Sequence, residues 1–306
     1  MIRYNNWMSY NYDGIENGLK KIGSSFSIKF KAEKEPLNIS YKDALFRNAS
    51  IMRDQYTGPF DVCLSGGIDS EVVVRTFKDL GIKHNTFIFR LEDNINAPDV
   101  KNAITLCNAL NIEYKIIDFN LRKFFENDAL RYADIIKTPR AGRLPRLMWF
   151  EMLDNIVVTC DGEPYWTRDL GTKTTKSSWS FHFSEDAYTN SRYTDIINKT
   201  AICDWYEYTP EIMWSFKKIP LIENLLKDNL PNKLSTWSSR HIIHKEIWPD
   251  MKYIPKLTGF EGYGEPGSLP DFMIEFQNTV LSKYTSKDIL LNEEEFKLCL
   301  TSPQEF

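Results

Sequence analysis

The chain has 306 residues, of which 42% are hydrophobic and 26% are charged, and its formal net charge is −4. This composition is typical of a folded globular protein rather than a disordered one, and the length allows one large domain or two closely packed ones. The negative charge does not indicate a nucleic-acid partner, and no apolar run reaches the ~18 residues of a membrane-spanning helix, so we expect a cytoplasmic protein without a membrane partner.

The first 44 residues are predicted to form an amino-terminal extension. A charged stretch at 13–21 favours a helix, and the alternation of apolar and polar residues at 25–31 predicts a strand. A longer helix is expected at 41–55, because the turn-forming sequence Thr57-Gly58-Pro59 follows it.

Strands and helices then alternate along the chain. The sequence predicts strands at 60–64, 85–91, 114–119 and 156–159, and helices from about residue 72 and at 98–111 and 143–153. Alternation of this kind indicates parallel strands joined by crossover helices, which make a doubly wound, mainly parallel α/β sheet that binds its ligand at the carboxyl ends of the strands. We therefore assign an α/β core to 45–175 and a mainly helical region to 176–306, with helices expected within 204–217 and 236–248.

A glycine-rich polar turn follows the first of these strands. We call residues 65–70, with the sequence Ser65-Gly66-Gly67-Ile68-Asp69-Ser70, the phosphate turn. The first N–H groups of a helix have no partner inside the helix and lie at the positive end of its dipole, so such a turn holds an anion. The glycines allow positive φ and close approach of a phosphate, and the serines offer hydroxyl donors. The alternative is a structural glycine turn in which Asp69 only caps the helix.

The phosphate turn resembles the Ser-Gly-Gly-x-Asp-Ser signature of the N-type ATP pyrophosphatases, the PP-loop superfamily. Further segments resemble, in the same order, the synthetase domain of asparagine synthetase and of its relative β-lactam synthetase; these segments are 97–100, 140–141, 157–163 and 254–264. The resemblance implies a ligase that uses ATP and Mg²⁺, adenylates a substrate carboxylate with release of pyrophosphate, and forms an amide with an amine or free ammonia. On this interpretation 45–175 is the ATP-binding core and 176–306 is a substrate or lid region.

The sequence also departs from that family. Ile2 stands where asparagine synthetase has a nucleophilic cysteine, and about 44 residues precede the synthetase-like part. We therefore expect no glutaminase domain, and a separate amidotransferase or another ammonia source becomes a candidate partner. Pro164 and Tyr165 replace the family's second acidic pair, which leaves Glu163 as a displaced candidate for the second metal ligand.

Candidate site residues follow from the motif and the resemblance together. The residues expected to bind the nucleotide are Leu64, Ser65, Gly66, Gly67, Asp69, Ser70, Phe89, Thr159 and Cys160. Asp69 and Glu163 are the expected Mg²⁺ ligands, since this ion prefers one or two carboxylates together with phosphate oxygens.

Three further residues are candidates for catalysis. Lys256 would neutralise charge on the departing pyrophosphate, and Asp161 would accept a proton from the attacking amine. Arg140, with Arg143 and Arg146 spaced along one helical edge, would grip a phosphate or a substrate carboxylate.

Several alternatives remain open at this point. Phe89 suits plain core packing, the arginines suit a solvated face, and Cys160 is either a buried thiol or a participant in sulfur transfer. The five cysteines include no Cys-x-x-Cys pair, which indicates reduced thiols rather than disulfides or a paired-cysteine metal site. For the whole protein, the alternatives are adenylation of a nucleobase or tRNA carbonyl with sulfur or nitrogen transfer, and a module that binds ATP without turning it over.

Overall fold

The computed structural model describes residues 2–3, 7–16, 19–31, 34–169, 178–227, 240–252, 260 and 269–306. Its strands are β1 (Ile2–Arg3), β2 (Met8–Tyr12), β3 (Ile15–Glu16), β4 (Leu19–Lys20), β5 (Phe26–Phe30), β6 (Phe60–Cys63), β7 (His84–Leu91), β8 (Tyr114–Phe119), β9 (Ile156–Val158), β10 (Trp166–Asp169), β11 (Ser178–Ser184), β12 (Ala201–Ile202), β13 (Asp288–Asn292) and β14 (Gln304–Glu305).

Its α-helices are α1 (Tyr41–Gln55), α2 (Ile68–Asp79), α3 (Ala97–Leu110), α4 (Leu121–Asn127), α5 (Ala129–Ile136), α6 (Leu144–Met152), α7 (Thr189–Ile196), α8 (Pro210–Lys217), α9 (Pro220–Lys227), α10 (Arg240–Ile247), α11 (Asp271–Phe276) and α12 (Glu293–Thr301). No helix in the described ranges combines the length and the apolar character needed to cross a membrane.

The central sheet of the described chain has five strands in the order β12-β9-β6-β7-β8, and every neighbouring pair is parallel. The chain runs outward from β6 through β7 to β8, and then crosses back to β9 and β12 on the other side of β6. The strand order therefore reverses between β6 and β9, and a crevice for a ligand forms at the carboxyl ends of these two strands. The sheet confirms the predicted doubly wound α/β fold.

Helices cover both faces of this sheet, because successive side chains of a strand point to opposite faces. Ile88 of β7 packs in one hydrophobic cluster together with Phe77 of α2. Its neighbours Phe87 and Phe89 pack in a second cluster with Phe150 of α6. Two cores therefore hold the sheet from its two sides and fix the helices whose ends form the crevice.

The helix predicted at 13–21 is wrong. The described residues of this segment, 13–16 and 19–21, lie in the short antiparallel pair β3–β4 and directly beside it, and β2 precedes them. Tyr10 and Tyr12 of β2 are buried while Asn11 between them is only partly buried, which is the period-two pattern of a strand. The strand predicted at 25–31 is confirmed as β5, which pairs with β2 on one side and with β14 on the other.

The region at 176–306, which was predicted to be mainly helical, contains helices α7 to α12 and also strands. β11 pairs with β10 and with β13 in an antiparallel sheet, and β14 joins the sheet of β1, β2 and β5. The amino-terminal strands and the carboxyl-terminal end of the chain therefore share one sheet. The limits of the three predicted regions stay predictions.

The first turn of α10 is held in place by a buried histidine. His244 is fully buried, and its ring stacks on that of Tyr41 from α1, with the ring centroids 6.0 Å apart and an interplanar angle of 12°. Burial, together with the nearby positive charge of Arg240 and the neighbouring His241, lowers the pKa of His244 to about 3. The folded protein therefore keeps this imidazole neutral.

This burial predicts a loss of stability in mild acid. The pKa of His244 in the folded state lies below its value in the unfolded chain, so in mild acid the unfolded chain binds a proton that the folded chain does not. The free energy of unfolding therefore falls as the pH drops below about 6.5. At pH 5 this residue alone is expected to reduce the free energy of unfolding by about 2 kcal/mol. Urea titrations at pH 7.5 and pH 5 should show a smaller acid-induced loss in His244→Gln than in the wild type. Equal losses in the two proteins would rule out His244 as the cause.

Candidate active site

A cavity of about 780 Å³ opens at the carboxyl ends of the central strands, at the point where the strand order reverses. Its lining includes Leu64 and Cys160, which lie just beyond the ends of β6 and β9, and Phe89, which lies near the end of β7. The start of α2, the helix α6 and the start of α10 form walls around it. This is the position at which an open parallel sheet binds its ligand.

The phosphate turn enters this cavity directly before α2. Gly66 has a φ of 75°, and a Cβ atom at this position would lie 2.2 Å from the main-chain oxygen of Asp99. A residue with a side chain therefore does not fit there, both because of the left-handed backbone and because of the packing against α3. The chain needs glycine at this point to bring its backbone to the cavity.

Ser70 uses its hydroxyl inside the turn. Its Oγ accepts a hydrogen bond from the N–H of Ser65 at 3.1 Å and donates one to the oxygen of Gly67 at 3.0 Å. The Oγ atoms of the two serines are also 3.1 Å apart. Ser70 is buried and Ser65 is exposed, so we assign Ser70 to holding the shape of the turn, and Ser65 is the better placed of the two to meet a ligand.

Two acidic side chains at the cavity meet one arginine. Nη1 of Arg240 lies 2.6 Å from Oδ1 of Asp69 and 3.5 Å from Oε1 of Glu163. We call these three residues the acid–arginine cluster. The side chain of Arg240 is only 3% exposed, whereas those of Asp69 and Glu163 are 26% and 30% exposed and line the cavity.

Sequence reasoning missed Arg240. The residue begins a short helix in a part of the chain without a readable motif, and about 170 residues separate it from Asp69. The only signal available was a charged residue within the stretch 236–248 in which a helix was predicted, which usually means a solvated side chain. Only the folded arrangement brings it to the phosphate turn.

Burial raises the pKa of Glu163 to about 7. The Arg240 guanidinium lowers it, while the nearby carboxylates of Asp69 and Asp161 raise it. The balance leaves this carboxyl group ready to take a proton near neutral pH unless a further cation enters the cavity.

Asp161 is engaged by several donors. Its Oδ1 atom lies 3.1 Å from Nη1 of Arg143 and 3.3 Å from Nη1 of Arg146, and its Oδ2 accepts a hydrogen bond from Asn190 at 2.8 Å. Both guanidinium groups line the cavity. This geometry suits a carboxylate that positions two arginines better than one that removes a proton from an amine, which was the role expected from the sequence.

Arg140 lies at the rim of the cavity. Its side chain is 67% exposed, and its Nε donates to Oδ2 of Asp186 at 3.1 Å. Hydroxyl groups of Thr138 and Ser286 donate to the same carboxylate and fix it. The structure therefore brings Arg140 to the same cavity as the arginines that Asp161 holds.

Aromatic and apolar side chains form the remaining wall. The rings of Phe89 and Trp149 stack with their centroids 4.0 Å apart, and both residues line the cavity. Leu64, which directly follows β6, is almost fully buried and also lines the cavity. This wall offers flat apolar surface next to the phosphate turn.

Thr159 and Cys160 continue β9 into the cavity. The hydroxyl of Thr159 donates to the main-chain oxygen of Cys203 at 3.0 Å, so this side chain is directed towards β12. Burial raises the pKa of the Cys160 thiol well above its usual value, and the neighbouring Asp161 raises it further. Cys160 is therefore a protonated thiol at neutral pH, which does not support a role as a sulfur nucleophile.

The two remaining predictions concern Lys256 and the Mg²⁺ ligands. Lys256 lies outside the described residues. Within them, no group of three or more histidine, cysteine and acidic side chains is arranged to hold a metal ion. The predicted pair of Mg²⁺ ligands, Asp69 and Glu163, lines the cavity.

Comparisons with known proteins give only distant similarities. No protein-family model matches the chain, and no curated protein matches it. Among solved structures, the NMN synthetase from Francisella tularensis is similar at 23% identity over 40% of this chain and 53% of that one, with a TM-score of 0.30. The NH3-dependent NAD synthetase from Campylobacter jejuni subsp. jejuni NCTC 11168 is similar at 19% identity over 40% and 56%, with a TM-score of 0.31. The chain thus spans about half the length of the structures it matches.

Proposed function

We propose that this protein is an ATP-dependent ligase that splits ATP between its α- and β-phosphates, adenylates a substrate carboxylate, and forms an amide with an amine or free ammonia. The observation that carries the proposal is the phosphate turn, which enters a cavity at the reversal point of the sheet with Asp69 facing that cavity. The resemblance of this turn to the PP-loop signature implies that ATP is cleaved between its α- and β-phosphates.

The residues present fit a nucleotide accompanied by Mg²⁺. Gly66 lets the backbone of the turn pack directly against the main chain of Asp99, and the start of α2 follows at once. Asp69 would supply a carboxylate oxygen that Mg²⁺ combines with phosphate oxygens, and Glu163, on the other side of Arg240, is the second candidate ligand. When bound, the ion would neutralise charge on the phosphates. The phosphate turn would then hold the part of ATP that leaves as pyrophosphate.

The adenine is assigned to the apolar wall. Leu64 directly follows β6, and Phe89 lies near the end of the adjacent strand β7. The Trp149 ring stacks on that of Phe89. A base placed there would have the main chain of Thr159 and Cys160 at its edge, as the carboxyl ends of neighbouring strands predict.

The arginine-rich wall is assigned to the carboxylate substrate. Arg143 and Arg146 lie on one side of Asp161, and Arg140 lies nearby at the rim. Guanidinium groups recognise carboxylates by paired hydrogen bonds, and each of the three is held by an ionic partner that lines the cavity, Asp161 or Asp186. The chain would thus fix the acid beside the nucleotide, and such positioning together with charge neutralisation accounts for most of the rate in this kind of reaction.

Further parts of the proposal come from the resemblance. Lys256 would neutralise charge on the leaving pyrophosphate. The nitrogen would come from an amine, from free ammonia, or from a separate amidotransferase in the cytoplasm.

A product assay tests the proposal. The protein is incubated with ATP, Mg²⁺, an ammonium salt and a panel of carboxylic acids, and the products are identified by ³¹P NMR. We expect AMP and pyrophosphate, formed in an acid-dependent manner. ADP and phosphate would refute the assignment, tight ATP binding without turnover on any acid would favour a nucleotide-binding module, and turnover only with added RNA would favour adenylation of a nucleobase.

A further inference from the structure

In the acid–arginine cluster, the positive charge between the two carboxylates is the guanidinium of Arg240. Nη1 of Arg240 bridges Asp69, which follows the phosphate turn glycines, and Glu163, which follows β9. The two carboxylates come from opposite sides of the strand-order reversal, and a single guanidinium holds them together. Arg240 itself lines the cavity beside the phosphate turn.

The position of Arg240 is fixed by its surroundings. Its side chain is 3% exposed, and its helix is anchored one turn later by the stacking of His244 on Tyr41. The hydroxyl of Tyr206 donates to the main-chain oxygen of Asp69 at 3.2 Å and fixes the other side of the contact. A buried guanidinium with two carboxylate partners leaves its place only at a high cost, because its removal from them would leave uncompensated charge.

Three acids at the cavity already have a cation of the protein beside them. Asp69 and Glu163 contact Arg240, and Asp161 contacts Arg143 and Arg146. One divalent ion that enters with the triphosphate and binds Asp69 would leave these ion pairs in place. A second divalent ion between Asp69 and Glu163 would have to displace Arg240.

We propose that Arg240 is a built-in second cation of the site, so that a single divalent ion accompanies the nucleotide. This inference rests on the proposed function, since it presupposes that the cavity binds ATP with a metal. Arg240 would keep Glu163 beside Asp69 and present a positive charge next to the phosphate turn, where a pyrophosphate group leaves.

The test counts metal ions rather than turnover. The protein is saturated with α,β-methylene-ATP, an analogue that cannot be cleaved at the relevant bond, and Mn²⁺ is titrated while free Mn²⁺ is followed by electron paramagnetic resonance. We expect one Mn²⁺ per bound nucleotide in the wild type. Two ions per nucleotide in the wild type would overturn the proposal, whatever the variants do.

Variants separate the charge of Arg240 from its packing. Arg240→Met removes the charge and should raise the count from one Mn²⁺ to two, whereas Arg240→Lys keeps the charge and should leave it at one. Arg75→Met is the matched control, because Arg75 is also buried and also bridges two acids, Glu71 and Asp250, but does not line the cavity. Its count should stay at one.

Other outcomes have separate meanings. A count of one in Arg240→Met, with nucleotide still bound, would overturn the proposal, because the carboxylates would then not need a second cation. Failure of the wild type to bind the analogue at any Mn²⁺ concentration would instead refute the proposed function. The two failures are therefore distinguishable in one titration.

Discussion

Replacing Asp69 with asparagine is expected to lower the rate of AMP and pyrophosphate formation by roughly 10³-fold, the size of effect seen when one group that stabilises charge in a transition state is removed. The asparagine amide keeps an oxygen that accepts from Arg240, so the fold and the contact at 2.6 Å have a substitute partner. What the variant loses is the negative charge that attracts Mg²⁺. Initial rates and the Mg²⁺ dependence of nucleotide binding measure the effect.

Asp79→Asn is the matched control for this prediction. Asp79 ends the same helix, and its Oδ2 accepts from the Trp248 indole at 2.9 Å, which an amide oxygen also does. This variant should keep the wild-type rate. A loss of activity in both variants, or unchanged activity in Asp69→Asn, would contradict the assignment of Asp69 to the metal.

Gly66→Ala is expected to abolish Mg²⁺–ATP binding. An alanine Cβ would lie 2.2 Å from the oxygen and 2.8 Å from the carbonyl carbon of Asp99, on a backbone with a φ of 75°. Strain and collision together should lower the free energy of unfolding by about 2–4 kcal/mol. Isothermal titration with α,β-methylene-ATP and urea denaturation measure the two effects.

Gly81→Ala separates strain from collision. Gly81 also has a positive φ, 63°, but a Cβ there meets no atom within 4 Å. This variant should lose only about 1 kcal/mol of stability and should bind nucleotide like the wild type. Normal nucleotide binding by Gly66→Ala would show that the phosphate turn does not hold the ligand.

The sheet was predictable because its strands carry a strong local pattern. The apolar runs at 60–64, 85–91, 114–119 and 156–159 appear as β6 to β9, and helix α1 has the predicted bounds. β12 was not predicted, because a strand of two residues is too short to show the alternation of apolar and polar side chains. The segment at 13–21 was misassigned because its charges fit a helical face as well as two short solvated strands, and the local pairing of β3 with β4 decided between them.

The site was predictable where one short segment carries the chemistry. The phosphate turn and Asp69 follow from the sequence, since glycine and acid positions on a strand-to-helix turn have a local meaning. The contact of Arg240 with Asp69 and the pairing of Asp161 with Arg143 could not be predicted. These contacts join residues from different elements, and the residue types alone suggest solvated side chains. Their roles depend on which loops the sheet brings to its carboxyl edge.

The most direct test of the account is a crystal structure of the protein with α,β-methylene-ATP and Mg²⁺. We predict that the β- and γ-phosphates contact the main-chain N–H groups of the phosphate turn, with the metal bound to Asp69 and the adenine against Phe89. A nucleotide bound elsewhere, or one whose phosphates point away from residues 65–70, would contradict the account.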